Sequence, residues 1–196
     1  MSAEYYDSPP MNSRQLADGI FTVEAFLTSS ECNALIIRAE AQGFEQASIA
    51  TGGGRKVEPK TRNNDRVIID DLPLADDFWI RIREFTPRVL AGRQARGLNE
   101  RFRFYRYTPG QKFAWHADGS FRRENGEVSL LTFMIYLNLG YRGGATRFEE
   151  LEVVGQLGMA LVFDHTLFHE GSEVLSGVKY VLRSDVMYGP VGKYYS

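Results

Sequence analysis

The 196-residue sequence contains three histidines, and two of them stand in patterns that can hold a metal. His116 and Asp118 close the run Tyr107-Thr-Pro-Gly-Gln-Lys-Phe-Ala-Trp-His-Ala-Asp118, while His169 lies far along the chain in Leu167-Phe-His-Glu-Gly-Ser. Residues two apart on an extended chain point to the same side, so His116 and Asp118 can meet one ion together. Two imidazoles and one carboxylate occupy one face of an octahedral ion. The opposite positions stay open to a co-substrate and to O2, the arrangement of non-haem Fe(II) oxygenases. The third histidine, His165, stands four residues before His169, the spacing of a zinc-binding helix. However, Asp164-His165-Thr166 follows an apolar strand and reads as a turn, so His165 is expected outside the ligand set.

The elements that must position these residues are mostly strands. Arg101 to Tyr107 alternates polar and apolar residues, Lys112 to Trp115 is short, and Ser129 to Asn138 is a buried run rich in β-formers. Ala145–Phe148, Leu151–Val154, Met159–Phe163, Phe168–Val174 and Val178–Tyr188 complete eight short strands separated by Gly-rich turns. Before them, Gly19 to Leu27 begins as a half-buried strand, and Thr28-Ser-Ser-Glu31 has the spacing of a capping box. The helix it opens should run to about Gln42 and stop at Gly43. A second amphipathic helix is expected from Leu74 to about Leu90, with Phe78, Ile82 and Phe85 on one face and Pro87 in its last turn. Helices followed by closely spaced strands give an α+β, mainly β class of the sandwich or barrel kind. Between the helices, residues 50 to 66 carry Gly52-Gly53-Gly54 and five basic residues with little to bury. The order of a phosphate-binding loop is missing. The stretch reads either as a solvated linker or as a lid whose Arg62, Asn64 and Arg66, at its anchored end, could meet substrate.

One domain is expected over residues 16–196, after a loose, proline-punctuated tail over residues 1–15. Lys+Arg and Asp+Glu number 23 and 25, so no overall field would hold nucleic acid or an anionic membrane. The start has neither a basic cluster nor an apolar run, so no secretion signal is expected. The longest apolar run, Leu130 to Leu139, falls short of the roughly 20 residues that span a bilayer. The lone Cys32 lies at helical spacing with Leu35, Ile36 and Ala39 and reads as a small core residue. A soluble, cytoplasmic protein is the expectation.

The order Tyr-x8-His-x-Asp, Tyr-Leu-Asn, Gly-Gly-x-Thr-x-Phe and His-x9-Lys resembles the 2-oxoglutarate- and Fe(II)-dependent dioxygenases of the prolyl 4-hydroxylase type. The resemblance covers about residues 18–188 and is sharpest from 105 to 188. It implies a double-stranded β-helix, or jelly roll, with the N-terminal helices packed outside. It also implies Fe(II) on His116, Asp118 and His169, with 2-oxoglutarate and O2 as co-substrates. Lys179 stands at the family's position for the cation that binds the distal carboxylate of 2-oxoglutarate, Tyr107 matches a tyrosine that hydrogen-bonds it, and Thr132 matches a pocket hydroxyl. Arg183, four residues after Lys179 on the same strand face, departs from a usually uncharged position. It could take the distal carboxylate instead, contact the inner carboxylate, a substrate acid or Asp118, or pair with Asp185. The activity implied is hydroxylation of a C–H bond, with a peptidyl proline as the family's leading case and small molecules also open. A jelly-roll binding or sensor module without turnover and a metal-dependent hydrolase are the alternatives. A hydrolase has no need of the dicarboxylate anchor that Lys179 provides.

Overall fold

The computed structural model describes residues 10–47, 49–51, 54–56 and 61–191. One antiparallel sheet of ten strands runs in the order Asn12–Ala17, Ile20–Glu24, Ala160–Asp164, Val128–Tyr136, Lys179–Pro190, Arg101–Tyr107, Asp65–Asp70, Glu45–Gln46. Arg93–Leu98 also pairs with the far end of Lys179–Pro190, and Val89–Leu90 pairs with Arg93–Leu98. A second sheet has the order Phe113–His116, His169–Gly171, Thr146–Phe148, Glu152–Val153. This is the expected jelly roll.

Alternation along the central strands creates two cores. Phe102, Phe104, Phe133, Ile135, Val162 and Leu182 face the helices, where they meet Cys32, Leu35, Ala39, Ala75, Phe78 and Ile82. Tyr105, Tyr107, Met134, Tyr136, Phe163 and Val181 face the other way and pack with Phe148 and Val153 of the second sheet. The helix side is fixed by edge-on rings: Phe26 lies 5.4 Å from both Phe78 and Phe133, and Phe78 lies 5.9 Å from Phe102.

The first helix, Ser29–Gln42, is closed by the capping box read from the sequence: the Thr28 hydroxyl accepts from Glu31 N, and the Glu31 carboxylate accepts from Thr28 N. Its cap Gly43 has φ 81°. The second helix is shorter than expected, Leu72–Ile82. Asp71 caps its start by accepting from Leu74 N, and the Thr86 hydroxyl takes the Ile82 carbonyl at its end, before Pro87. Val89 and Leu90, expected as helix end, instead form a hairpin with Arg93–Leu98 through Ala91 and Gly92, at φ 49° and 70°. Positive φ at both central residues matches the right-handed twist of the flanking strands. The tail expected over residues 1–15 lies outside the described residues up to residue 9; from Asn12 the chain is strand. In the 50–66 stretch, the backbone of Ile49–Thr51 pairs with Gly54–Lys56 and strand Asp65–Asp70 begins early. Gly52, Gly53 and residues 57–60, the heart of the expected lid or linker, lie outside the described residues.

Gly158 ties the sheet to the first helix's entry. Its φ is 70°, its carbonyl accepts from Leu27 N at 3.0 Å, and a Cβ there would lie 1.9 Å from the Leu27 carbonyl oxygen. Gly158→Ala is therefore expected to cost about 2–4 kcal/mol in a urea unfolding experiment, because it combines left-handed strain with a backbone clash. An unchanged midpoint would show that the 25–28 segment yields freely.

Candidate metal centre and co-substrate pocket

His116 ends the strand Phe113–His116 and His169 opens the strand His169–Gly171; the two are direct cross-strand partners with rings 4.3 Å apart. Asp118, two residues on, is held by its backbone N–H donating to the His165 carbonyl at 3.0 Å. The ligand atoms of His116, Asp118 and His169 lie within 4.8 Å of one another. Each imidazole has its Nδ1–H committed to a backbone carbonyl, Ala114 O at 2.8 Å and Leu167 O at 2.9 Å, so each Nε2 presents a lone pair to the cluster. Those nitrogens stand 3.7 Å from the two oxygens of Asp118, too far for hydrogen bonds. Three acceptors thus converge with no donor between them, an arrangement that a cation resolves. Protonation fits as well. Burial pushes His169 down to about 4 and keeps it neutral. Burial opposes the charge on Asp118, but the Arg183 guanidinium and neighbouring hydrogen bonds hold it ionised, well below the usual carboxylate range.

His165 is buried and outside the cluster, and it anchors a hydrogen-bond chain whose directions are fully determined. Thr132 Oγ1 donates its only proton to Asp118 Oδ2 at 2.5 Å, so it must accept from His165 Nδ1–H at 3.0 Å. The neutral imidazole, kept so mainly by burial, then accepts at Nε2 from the Ser129 hydroxyl at 2.9 Å. Ser129 Oγ in turn accepts from Phe121 N–H at 2.8 Å. Every link orients Asp118. Thr132→Val is expected to weaken Mn(II) binding about ten- to a hundredfold by calorimetry, as loss of a ligand's outer partner generally does. His165→Ala should fall in the same range, and wild-type affinity in both would leave the chain without a role at the metal.

Lys179 lies at the other end of the cavity, 3% exposed. Its ammonium donates to Gly144 O at 2.6 Å and lies 5.3 and 5.4 Å from the ring centres of Tyr107 and Tyr136. Among the described residues no carboxylate comes within 4 Å of it, and burial pulls its amine down to about 7. Tyr107, its cross-strand partner, lines the same space, with its phenol pushed up to about 12 by burial. Thr146 is also there, hydrogen-bonded to the Tyr136 hydroxyl at 2.8 Å. Arg183 is placed elsewhere. Its Nη2 stands 3.1 Å from Asp118 Oδ2, 3.1 Å from Asp185 Oδ1 and 3.3 Å from Thr132 Oγ1, so it and Thr132 serve the metal end and not the Lys179 end. Burial disfavours its charge, but the two aspartates hold it firmly protonated. Phe113, Met134, Phe163 and Val181 complete the cavity walls.

Sequence reasoning gave no role to two residues here and placed two others, Arg62 and Asn64, only at the anchored end of a possible lid. Thr146 was legible as part of Gly-Gly-x-Thr and received no role. Tyr105 shares a face with Tyr107 by simple alternation. Arg62, 5% exposed, has its guanidinium 4.3 Å from the ring centres of both Tyr105 and Phe113. Asn64, fully buried, accepts from Arg62 Nε at 2.7 Å.

A His-Asp-His cluster in a jelly roll, sharing a cavity with a buried lysine that has no carboxylate within 4 Å among the described residues, suits a non-haem iron site that takes a dicarboxylate co-substrate. Residues 102–184, the stretch that carries all of these groups, match the sequence model of the 2OG-Fe(II) oxygenase superfamily. Over those residues the chain is similar to the 2-oxoglutarate- and Fe(II)-dependent dioxygenases of that superfamily. Its fold is similar to that of the viral collagen prolyl hydroxylase of Paramecium Bursaria Chlorella virus-1 in its 2OG complex: TM-score 0.62, 22% identity, over 90% of this chain and 100% of that one. A Pseudomonas putida prolyl-4-hydroxylase gives 0.61 and 20% over 89% and 94%. A Trichoplax adhaerens prolyl hydroxylase, in complex with a hypoxia inducible factor peptide fragment, gives 0.66 and 15% over 87% and 84%. No curated protein sequence matches the chain.

Proposed function

We propose that the bond hydroxylated is a C–H of a prolyl ring, in a peptide or protein, with His116, Asp118 and His169 holding Fe(II) and Lys179 holding the distal carboxylate of 2-oxoglutarate. When bound, the metal and its co-substrates couple decarboxylation of 2-oxoglutarate to succinate and CO2 with insertion of one oxygen atom into the substrate C–H. The chain's own residues supply position. The observation that carries the co-substrate assignment is Lys179, a buried cation that has no carboxylate within 4 Å among the described residues and lines the same cavity as the metal ligands. Tyr107 and Thr146 add neutral donors at that end. Thr132 and Arg183 act on Asp118, so they orient the metal ligand and keep it ionised. The apolar walls Phe113, Met134 and Phe163 exclude water from the reacting carbon. Support for proline is the architecture shared with three prolyl hydroxylases along most of the chain.

A cytoplasmic setting belongs to the same proposal, supported by the single, buried, unpaired Cys32. Among the described residues no helix is long and apolar enough to cross a membrane. The test is aerobic incubation with Fe(II), 2-oxoglutarate and a library of prolyl peptides, reading succinate and the mass of the peptide. Succinate matched by a gain of one oxygen on proline is expected. Stimulated succinate release with oxygen only on other residues would overturn the choice of substrate.

A further inference from the structure

Five side-chain polar atoms are buried without a hydrogen-bond partner among the described residues; two of them belong to residues that line the cavity, and a third to Arg62, which packs against that wall. These three are Arg62 Nη2, the Tyr105 hydroxyl and Arg183 Nε. Tyr105 and Arg183 line the cavity together with the metal ligands, and the Arg62 guanidinium lies between the rings of Tyr105 and Phe113. Phe113 itself stacks on His116 with centroids 3.6 Å apart, so this wall begins at a metal ligand. All three orphans can serve as donors, two of them on guanidinium groups, and buried donors of this kind are normally satisfied.

Charge counting points the same way. Among the described residues with printed contacts, the buried or part-buried charges at this wall and at Lys179 include Arg62, Arg103, Lys179 and Arg183 against Asp118 and Asp185. Four cations against two carboxylates leave an excess of two, and a divalent metal raises it to four. 2-Oxoglutarate, with two carboxylates, removes half. A buried excess that remains calls for a further anion. The potential is visible at Tyr105: burial alone would push its phenol up, yet Arg62, Arg183 and Arg103 together bring it down to about 8.

We infer that Arg62, Tyr105 and Arg183 form a second oxyanion site, separate from Lys179, and that it takes a carboxylate of the primary substrate. Tyr105 would bind the acid from the cavity wall, with Arg62 Nη2 and Arg183 Nε beside it supplying the charge. The inference rests on the dioxygenase reading in one respect: 2-oxoglutarate fills the Lys179 end. It then narrows the substrate to molecules with a carboxylate close to the reacting C–H. That group could be the α-carboxylate of a free imino acid, the C-terminus of a peptide, or an acidic side chain beside the reacting residue.

Three pairs of probes separate these sources: L-proline and L-prolinamide, Gly-Pro and its amide, and N-acetyl-Glu-Pro-amide and its Gln counterpart. Each is titrated calorimetrically into protein loaded with Mn(II) and 2-oxoglutarate under nitrogen, for wild type, Tyr105→Phe and Arg62→Gln. At least one acid should bind about tenfold or more tightly than its neutral twin in wild type, with the difference lost in both variants. The Kd for 2-oxoglutarate should stay within about threefold in Tyr105→Phe, which removes one oxygen and serves if Arg62→Gln fails to fold. Equal binding of acids and neutral twins in wild type overturns the inference, as does a Tyr105→Phe protein that keeps the preference or that loses 2-oxoglutarate instead. Aerobic turnover of the same pairs separates the two readings. If the neutral prolyl probes are hydroxylated as fast as the acids, proline stands as substrate and the oxyanion site falls. If acids are preferred in binding and no probe is hydroxylated on proline, the oxyanion site stands and the proline reading falls.

Discussion

Asp118→Ala is expected to lower Mn(II) affinity by at least about a thousandfold, since partners one shell further out are already worth about ten- to a hundredfold. Two effects add. The carboxylate is the only charged ligand of the three, so its loss removes the main electrostatic attraction for a divalent ion. It also leaves Arg183, whose Nη2 lies 3.1 Å from Asp118 Oδ2, facing the ion with only Asp185, shared with Arg103, beside it. The same change should destabilise the metal-free protein by about 3–5 kcal/mol, because a buried pair is broken from one side. Calorimetry and urea unfolding on one protein sample check both. Asp118→Asn, which keeps the shape and loses the charge, should reproduce most of the metal defect, and its retention of wild-type affinity would exclude this account. His116→Ala should also lose the ion, whereas His165→Ala should weaken it only within the outer-partner range.

Lys179→Ala is expected to weaken 2-oxoglutarate by about 2–5 kcal/mol, some thirtyfold to several thousandfold, with the Kd for Mn(II) nearly unchanged. The pH dependence follows from the amine, which burial pulls from 10.5 to about 7. The dicarboxylate requires the ammonium form. Below pH 7 the site is already protonated and affinity is flat. Above it, binding must take up a proton, and affinity falls as pH rises, by up to about tenfold per unit. Proton uptake at pH 8, read from calorimetry in two buffers of different ionisation enthalpy, is therefore expected in wild type and lost in Lys179→Ala. Stability of the protein without 2-oxoglutarate should move the opposite way. The unfolded chain keeps the lysine proton up to about 10.5 and the folded one releases it near 7, so this group's penalty is full below pH 7 and is relieved as pH rises between those values. If Arg183→Ala gives the larger 2-oxoglutarate defect, the two cations have exchanged roles.

That His116, Asp118 and His169 come together was legible because the signal is local and chemical: His-x-Asp on an extended chain allows one orientation, and His165 was set aside by the turn around it. The first helix was legible to the residue because the Thr28 and Glu31 capping pair is a sequence-local device. Tertiary context decided what was missed. The second helix ends at Ile82 through a hydroxyl bond from Thr86, a contact that an apolar periodicity does not encode. Strand Arg93–Leu98 contains no β-branched or aromatic residue and exists because Lys179–Pro190 extends far enough to pair with it. Thr132, matched to a pocket hydroxyl by its spacing from Tyr136, does line the cavity, and its bond to Asp118 is the part that spacing could not give. Arg62 lay in a stretch read either as a solvated linker or as a lid that could meet substrate, and its packing against the rings of Tyr105 and Phe113 is a tertiary contact that the sequence does not encode.

The strict alternation of the central strands has a consequence for how such a protein can change. Tyr105, Met134, Val181 and Arg183 look into the cavity, and their immediate neighbours Phe104, Phe133 and Leu182 look into the helix-side core. Specificity and stability are thus written on alternate letters of the same strands. A library restricted to the cavity letters can explore new substrates at little risk to folding, whereas a random library of equal size spends half its diversity on that core and returns mostly unfolded protein. Selection acting on a natural population meets the same grammar. Drift in what the enzyme hydroxylates can proceed in single steps at odd and even positions that never exchange roles, so long as no insertion shifts a strand by one residue.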